Sequence, residues 1–217
     1  MYKGVIFDLD GTVLDTIEDI KDALNEALGK MGYFHSYSNE ETMLMVGSGF
    51  KVLIERAVPE NTSDEDVEKV LHYFIEAYDK CYDKKTKAFS GIREVLGTMM
   101  DKGIKLAINS NKQDDFTKAL IAKCFNDINW TAVIGYRNNH KKKPDPESVF
   151  EIAKLMNLPL NELLYVGDSD VDIMTGHNAG IDTILVSWGY RPLEIAKKTK
   201  PKYIANNPKE MLEIIIK

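Results

Sequence analysis

The strongest constraint on this chain is a short run near its start, Gly4-Val5-Ile6-Phe7, which is apolar throughout and stops abruptly at Asp8-Leu9-Asp10-Gly11-Thr12. It is too short for a helix and lacks the alternation of a half-exposed strand. It therefore reads as a strand covered on both faces, as in a parallel sheet. Similar runs recur at Ile104-Lys105-Leu106-Ala107-Ile108, Leu163-Leu164-Tyr165-Val166 and Thr183-Ile184-Leu185-Val186, with a weaker one at Ala132-Val133-Ile134. Between them apolar residues take helical spacing: Ile92, Val95, Leu96, Met99 and Met100; Phe116, Ala119 and Leu120; Val149, Phe150, Ile152, Ala153 and Met156. Strands alternating with helices predict an α/β fold, a mostly parallel sheet with ligands bound beyond the carboxyl ends of its strands.

The stretch from Thr16 to Tyr82 breaks this rhythm and carries helical patterns only. Ile17, Ile20, Ala23, Leu24, Ala27 and Leu28 form one apolar stripe, with Thr16 as N-cap and Gly32 as stop. Ser38 and Glu41 have capping-box spacing, and a long helix is expected after Thr62-Ser63. Such a segment, leaving the sheet after the first strand and returning before Ser90-Gly91, predicts an inserted all-helical cap over residues 15–83, with the core formed by residues 1–14 and 84–217. Leu14-Asp15 and Lys84-Lys85-Thr86-Lys87 are the expected linkers, the second a candidate hinge.

Composition narrows the partners. A net charge of -6 with no basic amphipathic helix lacks the footprint of nucleic-acid binding. Cys81 and Cys124 stand in no metal or redox spacing, and no signal or membrane-spanning segment is visible. These features predict a cytoplasmic protein acting on a small molecule.

The chemistry gathers at strand ends. Asp8 and Asp10 repel each other unless a cation or proton intervenes. A second acidic cluster, Gly167-Asp168-Ser169-Asp170-Val171-Asp172, also follows an apolar strand, and together the carboxylates suit a hard cation such as Mg²⁺. A third strand ends in Asn109-Ser110-Asn111-Lys112, with hydroxyl and amide donors for phosphate oxygens. In His140-Lys141-Lys142-Lys143-Pro144-Asp145-Pro146 the proline turn can aim one lysine into a cleft, and Pro146 can open a helix capped by Asp145.

These four segments, in their order along the chain, resemble the haloacid dehalogenase superfamily, in particular its phosphoglycolate-phosphatase-like branch, over Val5 to Tyr190. The resemblance implies a Rossmann-like core with a helical cap. It makes Asp8 the nucleophile that forms an aspartyl-phosphate and Asp10 the acid and base. Mg²⁺ would be held by Asp8, the backbone carbonyl of Asp10, and Asp168. Ser110, Asn111 and Lys143 would grip the phosphoryl group, with Gly11, Thr12, Gly167 and Asp172 in support and Asp172 orienting Lys143 or a metal-bound water. Only Lys143 fits the motif; Lys141 and Lys142 read as solvated, and Asp170 is left outside the site.

Within the cap, Val46-Gly47-Ser48-Gly49 resembles a glycine pattern of phosphoglycolate phosphatases. Gly47, Ser48 and Gly49 are thus a candidate substrate loop as well as a helix break. Arg56 and Lys51 carry no assignment, and Phe50, Tyr73, Phe74, Tyr78 and Tyr82 read as cap core. The expected activity is hydrolysis of a small phosphate monoester, phosphoglycolate first. A β-phosphoglucomutase-like phosphomutase or a pyrophosphatase on the same core, and a phospho-accepting signalling module, are the competing readings.

Overall fold

The computed structural model describes residues 1–217. In chain order the strands are β1 (Gly4–Phe7), β2 (Leu14–Asp15), β3 (Lys87–Ala88), β4 (Lys105–Gln113), β5 (Trp130–Tyr136), β6 (Leu163–Gly167), β7 (Asp182–Val186) and β8 (Tyr203–Ala205). The helices are α1 (Ile17–Lys30), α2 (Asn39–Met45), α3 (Phe50–Ala57), α4 (Asp64–Asp79), α5 (Ile92–Asp101), α6 (Asp114–Cys124), α7 (Glu147–Met156), α8 (Asp170–Ala179), α9 (Leu193–Ala196) and α10 (Pro208–Ile216).

Six strands form one parallel sheet in the order β5-β4-β1-β6-β7-β8. The expected α/β class follows directly: β1 is buried along its whole length, with separate apolar clusters on the two faces of the sheet. One face packs Val5 and Phe7 against Leu96, Met99, Leu120 and Met211; the other packs Ile6 against Ile152, Met156 and Tyr165. The strand order reverses at β1: the chain runs outward through β4 and β5 on one side, then returns to lay β6, β7 and β8 on the other. A cleft opens at such a switch point beyond the strand ends.

Helices α1 to α4 bury a cluster of their own around Ile20, Leu24, Ile54, Val70, Phe74 and Tyr78, joined by Phe116 from α6. Phe50, Tyr78 and Phe116 meet edge-on, with ring centroids 5.1 to 6.1 Å apart. The two segments joining this helical unit to the sheet are not open loops. Leu14 pairs with Ala88 and Asp15 with Lys87 as an antiparallel ribbon, β2 with β3. No helix is long and apolar enough to cross a membrane.

Strand β4 ends in Asn109-Ser110-Asn111-Lys112, as expected, running on to Gln113 past an irregularity where pairing with β5 skips from Asn109 to Gln113. Two local expectations need correction. Helix α7 starts one residue later than expected, with Pro146 and not Asp145 as its N-cap, although Asp145 Oδ1 still accepts from the N–H of Glu147. Thr16 precedes α1 as N-cap but makes no capping bond, since its hydroxyl is engaged elsewhere.

Candidate active site

The register of the sheet builds the site. Phe7 lies opposite Ile108 of β4 and Val166 of β6. The next residues of the three strands, Asp8, Asn109 and Gly167, therefore emerge side by side, with Ser110 and Asp168 one step further on.

Lys143 ties the first carboxylate to the second acidic cluster. Its Nζ donates to Asp8 Oδ1 and to Asp172 Oδ1, each at 2.7 Å, and the lysine is buried. Asp172 is fixed in turn by a capping box at the start of α8: its Oδ2 accepts from Ser169 Oγ at 2.6 Å and from Ser169 N at 3.0 Å. Asn111 holds the backbone of Lys143 from both sides, accepting from its N–H at 2.9 Å and donating to its carbonyl at 3.2 Å. The Asn111 amide also donates to the carbonyl of Gly47 in the helical unit at 3.0 Å.

Asp8, Asp168 and Asp172 each offer a carboxylate oxygen, and these oxygens lie within 4.8 Å of one another. Burial, then the charges of Asp172 and Asp168, pushes Asp8 well above the usual carboxylate range despite Lys143. Burial, then Asp172, raises Asp168 to about 7, against the N–H groups of Tyr190 and Arg191 that donate to its Oδ2. Burial opposes the charged form of Lys143, but Asp172 and Asp8 outweigh it and hold the ammonium protonated. Three buried carboxylates facing one ammonium leave negative charge uncompensated, and an all-oxygen donor set of this kind fits a hard divalent cation.

Asp10 faces another way. Its Oδ1 accepts from Thr16 Oγ1 at 2.6 Å and pairs with Lys112 Nζ at 2.9 Å. Lys112 donates to Tyr78 Oη at 2.8 Å, and its ammonium stands 4.8 Å from the Tyr78 ring centroid and 5.4 Å from that of Phe50. Tyr190 closes the same side: its N–H serves Asp168, while its hydroxyl accepts from Thr16 N at 2.6 Å.

Glycine is required where these elements crowd. Gly11 has φ +82°, and a Cβ there would stand 2.6 Å from Asp168 Oδ2; a Cβ on Gly167 would stand 2.2 Å from that of Asp172.

Asp8, Asp10, Ser110, Asn111 and Lys112 share a small cavity of about 20 Å³ with Ile20, Val46, Gly47, Gly49, Phe50 and Leu53 of the helical unit. The sequence-predicted residues Asp8, Asp168, Asp172, Lys143, Ser110 and Asn111 thus converge, and Asp10 joins them across the cavity. Gly47 and Gly49 line it, whereas Ser48 does not. Thr12 is buried with its carbonyl accepting from Trp188 Nε1, and its hydroxyl meets no protein partner. Lys141 is exposed and paired with Asp145, as expected, but Lys142 is half-buried over the Tyr136 ring. Arg56 donates to the carbonyl of Met45 and Lys51 pairs with Glu68, so neither lines the cavity.

Sequence reasoning left Lys112 without a role, took Tyr78 only as apolar packing, and passed over Tyr190 and Arg191. Arg191 Nη1 donates to the carbonyl of Leu44 at 3.0 Å and Nη2 to that of Val46 at 3.3 Å, strapping the helical unit to the core. The available signal was positional: Tyr190 and Arg191 follow the carboxyl end of an apolar strand, like every other cluster of the site.

The chain resembles known proteins along nearly its whole length. Residues 5–186 match the family described as haloacid dehalogenase-like hydrolase. PpaX of Caldanaerobacter subterraneus subsp. tengcongensis, provisionally named a pyrophosphatase, is 30% identical over 98% of this chain and 94% of its own length. A phosphoglycolate phosphatase of Aquifex aeolicus is 29% identical over 98% and 96%. A crystal structure from Lactobacillus delbrueckii subsp. bulgaricus, provisionally named a phosphoglycolate phosphatase, superposes with a TM-score of 0.94 at 31% identity, covering 99% of this chain and 98% of that one.

Proposed function

The chain belongs to the haloacid dehalogenase-like hydrolases, and from that premise we propose that it is a Mg²⁺-dependent phosphatase of small phosphate monoesters, with phosphoglycolate the leading substrate. The observation that carries the reading is the placing of two differently held aspartates on one cavity: Asp8 clamped by Lys143, and Asp10 held by Thr16 and Lys112.

In this reading a carboxylate oxygen of Asp8 attacks phosphorus in line, forming the Asp8 acyl phosphate as the bond to the leaving oxygen breaks. Asp10 gives its proton to the departing alkoxide, then takes one from the water that attacks phosphorus and releases Asp8. Lys143, Ser110 and the Asn111 segment bind the phosphoryl oxygens, and Asp172 keeps Lys143 aimed. Asp8, Asp168 and the backbone carbonyl of Asp10 would hold Mg²⁺, whose bound charge shields the approach of one anion to another. The helical unit acts as a cap that excludes water, and its Gly47 and Gly49 backbone forms part of the leaving-group wall.

The size of the cavity and the names of the relatives both favour a small leaving group. The likeness to PpaX supports a second reading, pyrophosphate as substrate, on the same residues. Hydrolysis of p-nitrophenyl phosphate by the wild type and by Asp8→Asn, with and without Mg²⁺, tests the core of the proposal. Turnover retained by Asp8→Asn would refute the covalent mechanism, and comparison of phosphoglycolate with pyrophosphate separates the two substrates.

A further inference from the structure

We propose that Lys112 is a specificity-determining residue that reads negative charge on the leaving group, so that the preferred substrates are phosphate esters of small hydroxycarboxylic acids. This deepens the phosphatase reading above and rests on it.

Lys112 is the one cation among the residues lining the cavity between helical unit and core. Its side chain is 1% exposed. An ammonium so enclosed needs compensation, and its partners are Asp10 Oδ1 at 2.9 Å and Tyr78 Oη at 2.8 Å. These use two of the three N–H donors that a lysine carries, leaving one for a ligand acceptor.

The helical unit presents mainly apolar side chains to this space, Ile20, Val46, Phe50 and Leu53. The other nearby cations are engaged elsewhere and do not line the cavity: Lys51 with Glu68, Arg56 with the Met45 carbonyl, and Lys143 with Asp8 and Asp172, while Lys142 and Arg191, behind Gly49 and Gly47, lie over the Tyr136 ring and on the Leu44 and Val46 carbonyls. The N-terminus of α3, with Gly49 as a cap lacking a side chain, opens on the same cavity and adds backbone N–H groups of the same sign. A neutral alkyl leaving group would leave the third Lys112 donor facing apolar surface, whereas a carboxylate one or two carbons from the ester oxygen would pair with it.

The placement also links recognition to closure. Tyr78 belongs to α4 of the helical unit, whereas Lys112 lies in β4 and Asp10 in the turn that follows β1. The Lys112 ammonium therefore has both of its partners only when the two parts are together.

The test is a panel on the whole protein with Mg²⁺: phosphoglycolate, ethyl phosphate as its neutral counterpart, and phosphoethanolamine as its cationic one. The wild type is expected to favour phosphoglycolate over ethyl phosphate in kcat/KM by about 10- to 100-fold, the range that a hydrogen bond between charged groups supports, with phosphoethanolamine poorest. Lys112→Met should bring the ratio to within about threefold of unity, chiefly through KM for phosphoglycolate, and Lys112→Arg should restore much of the preference. An unchanged ratio in Lys112→Met, or an equal loss on both substrates, overturns the assignment and leaves Lys112 as a support for Asp10 alone. If Lys112→Met does not fold, the wild-type panel decides, because absence of any carboxylate preference also overturns it. Failure of the underlying reading is distinct: no Mg²⁺-dependent hydrolysis of any ester, p-nitrophenyl phosphate included.

Discussion

The carboxylate of Asp19, in the first turn of α1, accepts from both the N–H and the Oγ1 of Thr86, each at 2.8 Å. The same carboxylate accepts from Lys85 N, at 3.0 Å to Oδ2. Asp19 is buried, and through it the start of the helical unit grips the strand of chain that leads back to the sheet. Truncation would take the shared acceptor from two part-buried backbone donors and one hydroxyl. Asp19→Ala should therefore cost about 2 to 4 kcal/mol, whereas Asp19→Asn, which keeps one accepting oxygen, should cost about half as much. Urea denaturation of both variants measures the difference; equal losses would mean that the side chain acts through packing alone.

Arg191 joins the two units on the opposite rim. Its guanidinium holds the carbonyls of Leu44 and Val46, next to the glycine loop lining the cavity. Arg191→Ala removes these bonds while leaving its backbone N–H on Asp168. The expected result is a several-fold rise in KM with a stability loss of about 1 kcal/mol, since partly exposed side-chain hydrogen bonds contribute little net energy. Steady-state kinetics beside thermal melting checks this, and an unchanged KM would refute the strap.

Gly167 is set against Asp172 so closely that a methyl group cannot be added without displacing the carboxylate. Because Asp172 aims Lys143, and Lys143 holds Asp8, the disturbance in Gly167→Ala should pass along this chain of contacts to the reacting group. A shift on the order of 1 Å is enough to lower kcat about 10²-fold. The measurement is kcat for p-nitrophenyl phosphate, paired with circular dichroism to show that the variant folds. Near wild-type turnover would show that the proposed Asp172-to-Lys143 positioning is unimportant.

Much of this arrangement was legible from the residues alone, for a physical reason: local patterns survive into the fold. The apolar run before Asp8 became a fully buried central strand, and the spacing of Ser38 and Glu41 became a true capping box, with Ser38 Oγ accepting from Glu41 N and Glu41 Oε2 from Ser38 N. Elements held by tertiary pairing were not legible. Leu14–Asp15 and Lys87–Ala88 are too short to show any periodicity, and they become strands only because the helical unit brings them together. Asp19 looks in sequence like one more acidic residue of a helix start, and only the returning chain gives it donors. Lys112 sits beside Asn111 in a recognisable segment, yet its significance depends on Tyr78, 34 residues earlier, arriving from another helix.

The acidic cluster predicts how stability should respond to pH and to cation. Asp168, driven mainly by burial, titrates near 7 in the folded protein, whereas an unfolded carboxyl titrates near 4. The folded state therefore holds this proton more tightly than the unfolded state. The resulting stability is fully present below about pH 4 and is lost as pH rises through about 7. Asp8, raised by burial and by Asp172 and Asp168, acts in the same direction. The metal-free protein should thus lose stability between about pH 5 and 8 by a few kcal/mol from this cluster, at about 1.4 kcal/mol for each pH unit over which one proton is lost. Mg²⁺ competes with those protons, so it should raise Tm more at pH 8 than at pH 5.5. Asp168→Asn, which carries no charge, should flatten the pH dependence of the metal-free protein and largely abolish the Mg²⁺ response. Thermal denaturation at the two pH values, with EDTA and with Mg²⁺, decides the point. Equal Mg²⁺ shifts at both, or a response kept in Asp168→Asn, would place the cation away from these carboxylates.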